Sequence, residues 1–136
     1  MKLGEMRQIG SHVTGLEAPD IIYMKLIGDV SNDEVKEINQ SHLDMAEIVP
    51  QLYYLIDLSQ LDNLAPHVRK EASETVKLLP LRGTAIYGAP LKAKVLAKLM
   101  LTASNMFRSG KNLNPVEFLD NEAEARAWIE KRRQAA

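Results

Sequence analysis

The sequence predicts an α/β fold: a mixed sheet of about five strands and about four helices, with residues 1–136 forming one domain. Three observations carry that prediction. The segments "LYYLIDL" (52–58) and "GTAIYGA" (83–89) are apolar almost throughout, as strands shielded on both faces are. Segments with apolar residues at helical spacing separate and flank them. Two further strand-like segments come first in succession and pair most simply as an antiparallel hairpin. Alternation then implies right-handed crossovers and a mostly parallel remainder.

In chain order, "MRQIGSHV" (6–13) and "DIIYMKLIGDV" (20–30) are strands joined by "TGLEAP". In the second, Ile22, Met24 and Leu26 share one face while Tyr23 and Lys25 share the other, the period of a half-exposed strand. "SNDEVKEINQSHLDMAEIV" (31–49) opens with Ser31 and, three residues on, Glu34, the signature of a capping box. Its stripe is Val35, Ile38, His42, Met45, Ala46 and Val49, and Pro50 ends it. After the 52–58 strand, a helix over about 64–79 carries Pro66 in its first turn, where a missing amide costs nothing. The third helix, about 91–107, groups Val95, Leu96, Leu99, Met100, Ala103, Met106 and Phe107, leaving Leu101 off the stripe. "NPVEFL" (114–119) is a short edge strand. The last helix starts at Asp120 or Asn121, buries Ala125, Trp128 and Ile129, and ends in Lys131, Arg132 and Arg133, where the helix dipole favours cations.

Composition narrows the function classes. The apolar share of 46% and charged share of 26% are those of an ordinary globular protein. With 17 basic and 18 acidic side chains, the net charge is -1, which gives no electrostatic steering toward nucleic acid. No cysteine is present, so disulfides, thiolate metal sites and cysteine nucleophiles are excluded. No apolar run approaches the roughly 18 residues of a membrane span, and "MKLGEMRQIG" lacks the apolar core of a signal peptide. The expected location is cytoplasmic, without membrane insertion.

Ligands in open α/β sheets bind beyond the carboxyl ends of parallel strands. That edge is marked here by Asp57, Ser59, Gln60, Asp62, Asn63 and Gly88, with Gly28, Asp29, Ser31, Ala89 and Pro90 beside them. The rim is read either as a ligand or partner surface, or as turn and capping chemistry, with Asp62 or Asn63 capping the next helix and Asp57 tying the turn. Asp29, Asp57 and Asp62 are the one carboxylate set to weigh for a cation. "GAPLKAK", with Lys92 and Lys94, is the one helix start to weigh for an anion. His12, His42 and His67 lack metal-ligand spacing, and no serine stands in a nucleophile elbow. No cofactor is expected, and no catalytic set is recognised. Leu64, Met100, Leu101 and Met106 are candidates for an interface or for the wall of an apolar pocket.

The element order, with "IIYMKLIGDVSNDEV", the "LIDLSQL" strand and the closing "VEFLDNEAEARAWIEKRR", resembles the STAS fold of the anti-sigma-factor antagonists. More narrowly it resembles the SpoIIAA-like group, whose fold is also compared with CRAL-TRIO lipid-binding domains. The likeness spans nearly the whole chain, but its motifs are structural rather than chemical. It implies a protein-interaction or regulatory module, or alternatively a carrier or sensor of a small apolar, lipid-like ligand held between the third helix and the sheet. Antagonists that work as phosphorylation switches carry an Asp-Ser-Ser-Gly run after the central strand. Here that stretch is "QLDNLAPHV", with no serine between Gln60 and His67, so the switch does not carry over. Ser59, immediately after the strand, does not occupy the family serine's place. The expected partner is a second copy of the chain or another protein.

Overall fold

The computed structural model describes residues 4–105 and 113–135. The strands are β1 (Met6–Ile9), β2 (His12–Glu17), β3 (Ile21–Asp29), β4 (Leu52–Asn63), β5 (Leu81–Tyr87) and β6 (Val116–Leu119). The helices are α1 (Asn32–Ile48), α2 (Pro66–Leu78), α3 (Leu91–Asn105) and α4 (Glu122–Ala135). All six strands form one sheet in chain order, β1-β2-β3-β4-β5-β6. The first three are antiparallel and the rest run parallel to β3. The mixed α/β architecture is the one expected, and the two apolar segments are neighbours, with Ile56 opposite Ile86.

The opening hairpin has one more strand than its sequence suggests. The segment 6–13 doubles back at Gly10, whose φ of 61° suits the first central position of a two-residue turn. Most of "TGLEAP", expected as a connection, is therefore strand β2. A Cβ at Gly10 would also run into the Glu34 carboxylate. That carboxylate accepts from the Ser31 amide at 2.9 Å while the Ser31 hydroxyl accepts from the Glu34 amide at 3.1 Å, the capping box of α1. Gly10→Ala thus combines backbone strain with displacement of the cap. We expect a loss of about 1–3 kcal/mol in urea unfolding; a variant within about 0.5 kcal/mol of the parent would refute this account of the turn.

The parallel strands follow one another in chain order, and α1, α2 and α3 share one face and one core, as the right-handed rule for parallel crossovers that step the same way requires. They pack there in the order α1-α2-α3. Beneath them lies a continuous core that includes Ile22, Leu26, Val35, Ile38, Met45, Leu52, Ile56, Val68, Val76 and Ile86. The opposite face carries a smaller core, Ile21, Tyr53, Leu55, Ala85 and Tyr87, closed by Ala125 and Ile129 of α4. Strand alternation explains the division: Tyr54 and Ile56 point to one face, Tyr53 and Leu55 to the other.

α4 is tied to the far side of the chain by two arginines. Arg126 donates to both Glu17 oxygens at 2.8 and 3.0 Å, and Arg133 donates to both oxygens of Asp20. Planar bidentate pairs of this kind are the stronger class of ion pair.

α3 is rotated relative to expectation. Ala93, Ala97 and Leu101 face the sheet and are buried, whereas Leu91, Val95 and Leu99 are 78%, 50% and 59% exposed. The apolar count around the helix favours Val95 and Leu99. The sheet takes the other side because alanines four residues apart let the helix axis approach closely, with Leu101 completing that row. Met106 and Phe107 lie outside the described residues. Among the described residues, no helix is long and apolar enough to cross a membrane.

Candidate functional site

The segment after Asp57 is strand rather than a strand-to-helix turn. β4 continues to Asn63, and its pairing with β3 jumps from Lys25↔Asp57 to Ile27↔Gln60, then from Gly28↔Leu61 to Asp29↔Asn63. At each jump β4 carries one extra residue, so the strand contains two bulges. Asp57 fixes the first: one of its oxygens accepts from the Ser59 amide at 2.9 Å and the Ser59 hydroxyl at 2.7 Å. Gly88, at φ 70°, follows β5 directly beside Ser59. Gln60, Asp62 and Asn63 are exposed. Neither Asp62 nor Asn63 caps α2, whose N-cap is Ala65 with no side-chain hydrogen bond, followed by Pro66. The capping expectation is corrected by the bulges, which keep both residues in the strand ladder.

The rim thus splits into two groups. Asp57, Ser59 and Gly88 meet; Gln60, Asp62 and Asn63 point into solvent further along. Beside the first group sit residues that position along the chain did not suggest. The Lys25 ammonium is 3.9 Å from the second Asp57 oxygen, and the Tyr87 hydroxyl donates to Glu122 at 3.1 Å. Burial first, then the hydrogen bond with Tyr23 and the negative charge of Asp57 and Glu122, hold the Tyr87 phenol protonated well above its ordinary range. Period-two alternation is the signal that finds them: Tyr23 and Lys25 on β3, and Tyr87 two residues beyond Ala85, all project to the face that α4 covers only in part.

The other face holds a closed polar chain. Thr14 donates to the Tyr23 carbonyl at 2.7 Å. Its single proton being used, its oxygen at 2.9 Å from His42 Nε2 accepts from that nitrogen. His42 Nδ1, 2.8 Å from the Tyr54 hydroxyl, is then the acceptor of the Tyr54 proton. The geometry therefore fixes the Nε2–H tautomer, and full burial lowers the His42 pKa to about 3. His12, also buried, accepts the Ile27 amide on Nδ1 at 3.1 Å, on the β2 side of β3, where the β2–β3 pairing has ended at Val13↔Lys25.

His42 and Tyr54 border a cavity of about 60 Å³ between the sheet and the helical layer, lined chiefly by apolar groups including Met24, Leu64, Met100 and Leu101. Of the candidate interface or pocket-wall residues, Leu64 and Leu101 are buried and Met100 is half-buried, all three lining this cavity; Met106 lies outside the described residues. Drug-sized ligand pockets run from about 300 Å³ upward, so this cavity admits a few heavy atoms rather than an acyl chain. His42 lies on the face opposite Asp57, and both its nitrogens are engaged. Among the described residues, no three His, Asp or Glu side chains converge to hold a metal ion, so Asp29, Asp57 and Asp62 do not form a cation site.

A structure from Shewanella loihica PV-4, described as an uncharacterized protein from the DUF3478 family with a SpoIIAA-like fold, superposes with a TM-score of 0.63. The two are 17% identical, over 95% of this chain and 98% of that one. At that identity the likeness establishes the fold. No protein-family model matches the sequence. No curated protein matches it either.

Proposed function

Starting from the SpoIIAA-like fold of this chain, we propose that it is a non-catalytic protein-interaction module that docks through the outer face of its helical layer, with a second copy of itself as first partner. The observation that carries this reading is the exposed row Leu91, Val95 and Leu99, spaced four apart on α3. A contiguous apolar row rimmed by charge marks an interaction site more often than scattered single leucines do. Gln60, Asp62 and Asn63 would supply polar margin at the edge of the sheet where α3 begins. No Asp-Ser-Ser-Gly run is present, so this reading involves no phosphoserine switch.

Light scattering after gel filtration tests it. The parent protein is expected at twice the chain mass, and Leu99→Asp at the chain mass with unchanged circular dichroism. A parent that stays monomeric at every concentration, and captures no protein in a Leu99-dependent way, would remove the reading.

The cavity under α3 favours a second reading, a carrier or sensor of a small apolar ligand. Its apolar wall, with Met24 and Met100 as adaptable side chains, is the support for it. Native mass spectrometry of gently purified protein decides: a bound mass supports it, and a bare chain mass from every preparation ends it.

A further inference from the structure

We infer that two copies of this chain meet face to face through their helical layers, about a two-fold axis parallel to the helices, so that α1 of each lies on α3 of the other. This rests on the interaction reading above and specifies its geometry. Charge polarises the layer. α1 carries Asp33, Glu34, Glu37, Asp44 and Glu47 against Lys36. α3 carries Lys92, Lys94 and Lys98 with no acidic residue. Helical spacing puts Asp33, Asp44 and Glu47 on the solvent side of α1, and Lys92 and Lys98 on either side of the Leu91–Val95–Leu99 row. All five of these charged residues are exposed.

The helix order selects the axis. α2 lies between α1 and α3, so a two-fold along the helices places α2 on α2 and pairs acidic α1 with basic α3 twice. A two-fold across the helices would set lysines on lysines and carboxylates on carboxylates, which opposes association. Five of the seven exposed large apolar residues among the described residues, Ile48, Leu78, Leu91, Val95 and Leu99, belong to these three helices. The layer is also large enough: the 17 residues of α1 span about 26 Å and three helices about 30 Å, close to the ~800 Å² per partner of a standard interface.

Complementary charge reversal tests the geometry. One variant is Asp44→Lys/Glu47→Lys; the other is Lys92→Glu/Lys98→Glu, with Lys92→Glu alone as a second form because Lys98 also lies over the Phe118 ring at 5.5 Å. Each variant alone is expected to sediment as a monomer, with circular dichroism matching the parent. An equimolar mixture is expected to return the dimer mass, because both contacts in the mixed pair are again opposite in sign. The parent dimer should weaken as salt rises from about 0.05 to 0.5 M. If the α1 variant dimerises as well as the parent while Leu99→Asp does not, the arrangement falls and the interaction reading stands. A mixture that stays monomeric also overturns the arrangement, and a parent that is monomeric throughout overturns it together with self-association.

Discussion

Truncation of Leu101 to alanine is expected to lower the unfolding free energy by about 2–5 kcal/mol, the range for a large aliphatic side chain removed from a packed core. Leu101 is 2% exposed and walls a cavity that already exists, so the deleted methyl groups enlarge a void instead of letting the neighbours close in. Cost rises with residual cavity volume, which places this site in the upper half of that range. Leu99, two residues away and 59% exposed, should change stability by no more than about 0.5 kcal/mol on the same truncation. Paired urea titrations of the two variants check the orientation of α3. Equal losses, or a larger loss at Leu99, would mean that the helix presents its other side to the sheet.

Acid should destabilise the protein over a window set by His42. In the unfolded chain this imidazole takes up a proton below its ordinary pKa of 6.5, whereas in the folded protein burial delays uptake to about 3. The unfolded state therefore binds more protons between those values. Stability is fully present above pH 6.5 and falls by about 1.4 kcal/mol for each unit of pH below it, to a total of roughly 4–5 kcal/mol near pH 3. That approaches the entire stability of many domains of this size. Glu34 acts with the same sign at lower pH. The Ser31 amide lowers its pKa below the carboxylate's ordinary 4.5, so its contribution is lost as that carboxylate is protonated. Protonation of His42 would give Nδ1 a hydrogen directed at the Tyr54 hydroxyl and turn the phenolic proton toward the apolar cavity. Unfolding curves between pH 7 and 4, with the His42 ring followed by NMR, measure both quantities. A ring that titrates near 6.5 in the folded protein would falsify the closed-chain assignment.

Much of the architecture could be read without coordinates because its signals are local and strong. Seven consecutive buried residues, Leu52–Leu58, cannot sit at a sheet edge. Ser31 with Glu34 announces a helix start by its spacing alone. The end of β4 was illegible for a definite reason. Leu58, Leu61 and Leu64 all reach the same core at intervals of three, a period that looks unlike a strand until two inserted residues restore the alternation. α3 misled in the opposite sense: its small residues decide the packing, while counts of apolar residues weight the large ones. The group around Asp57 needed the register of three strands, since Lys25, Asp57 and Tyr87 meet only through the Lys25↔Asp57 and Asp57↔Tyr87 pairings.

The two arginine clasps of α4 bear on the timing of folding. They join positions 109 and 113 residues apart, and α4 is the element that shields Tyr53, Leu55 and Ala85 from water. A ribosome releasing this chain exposes that aromatic and aliphatic surface for as long as residues 122–135 remain unmade. The long loop closed by these contacts also raises contact order, which slows two-state folding. Synthesis halted before α4 leaves a sheet with one oily side bare, the condition under which chaperones bind and unprotected chains clump.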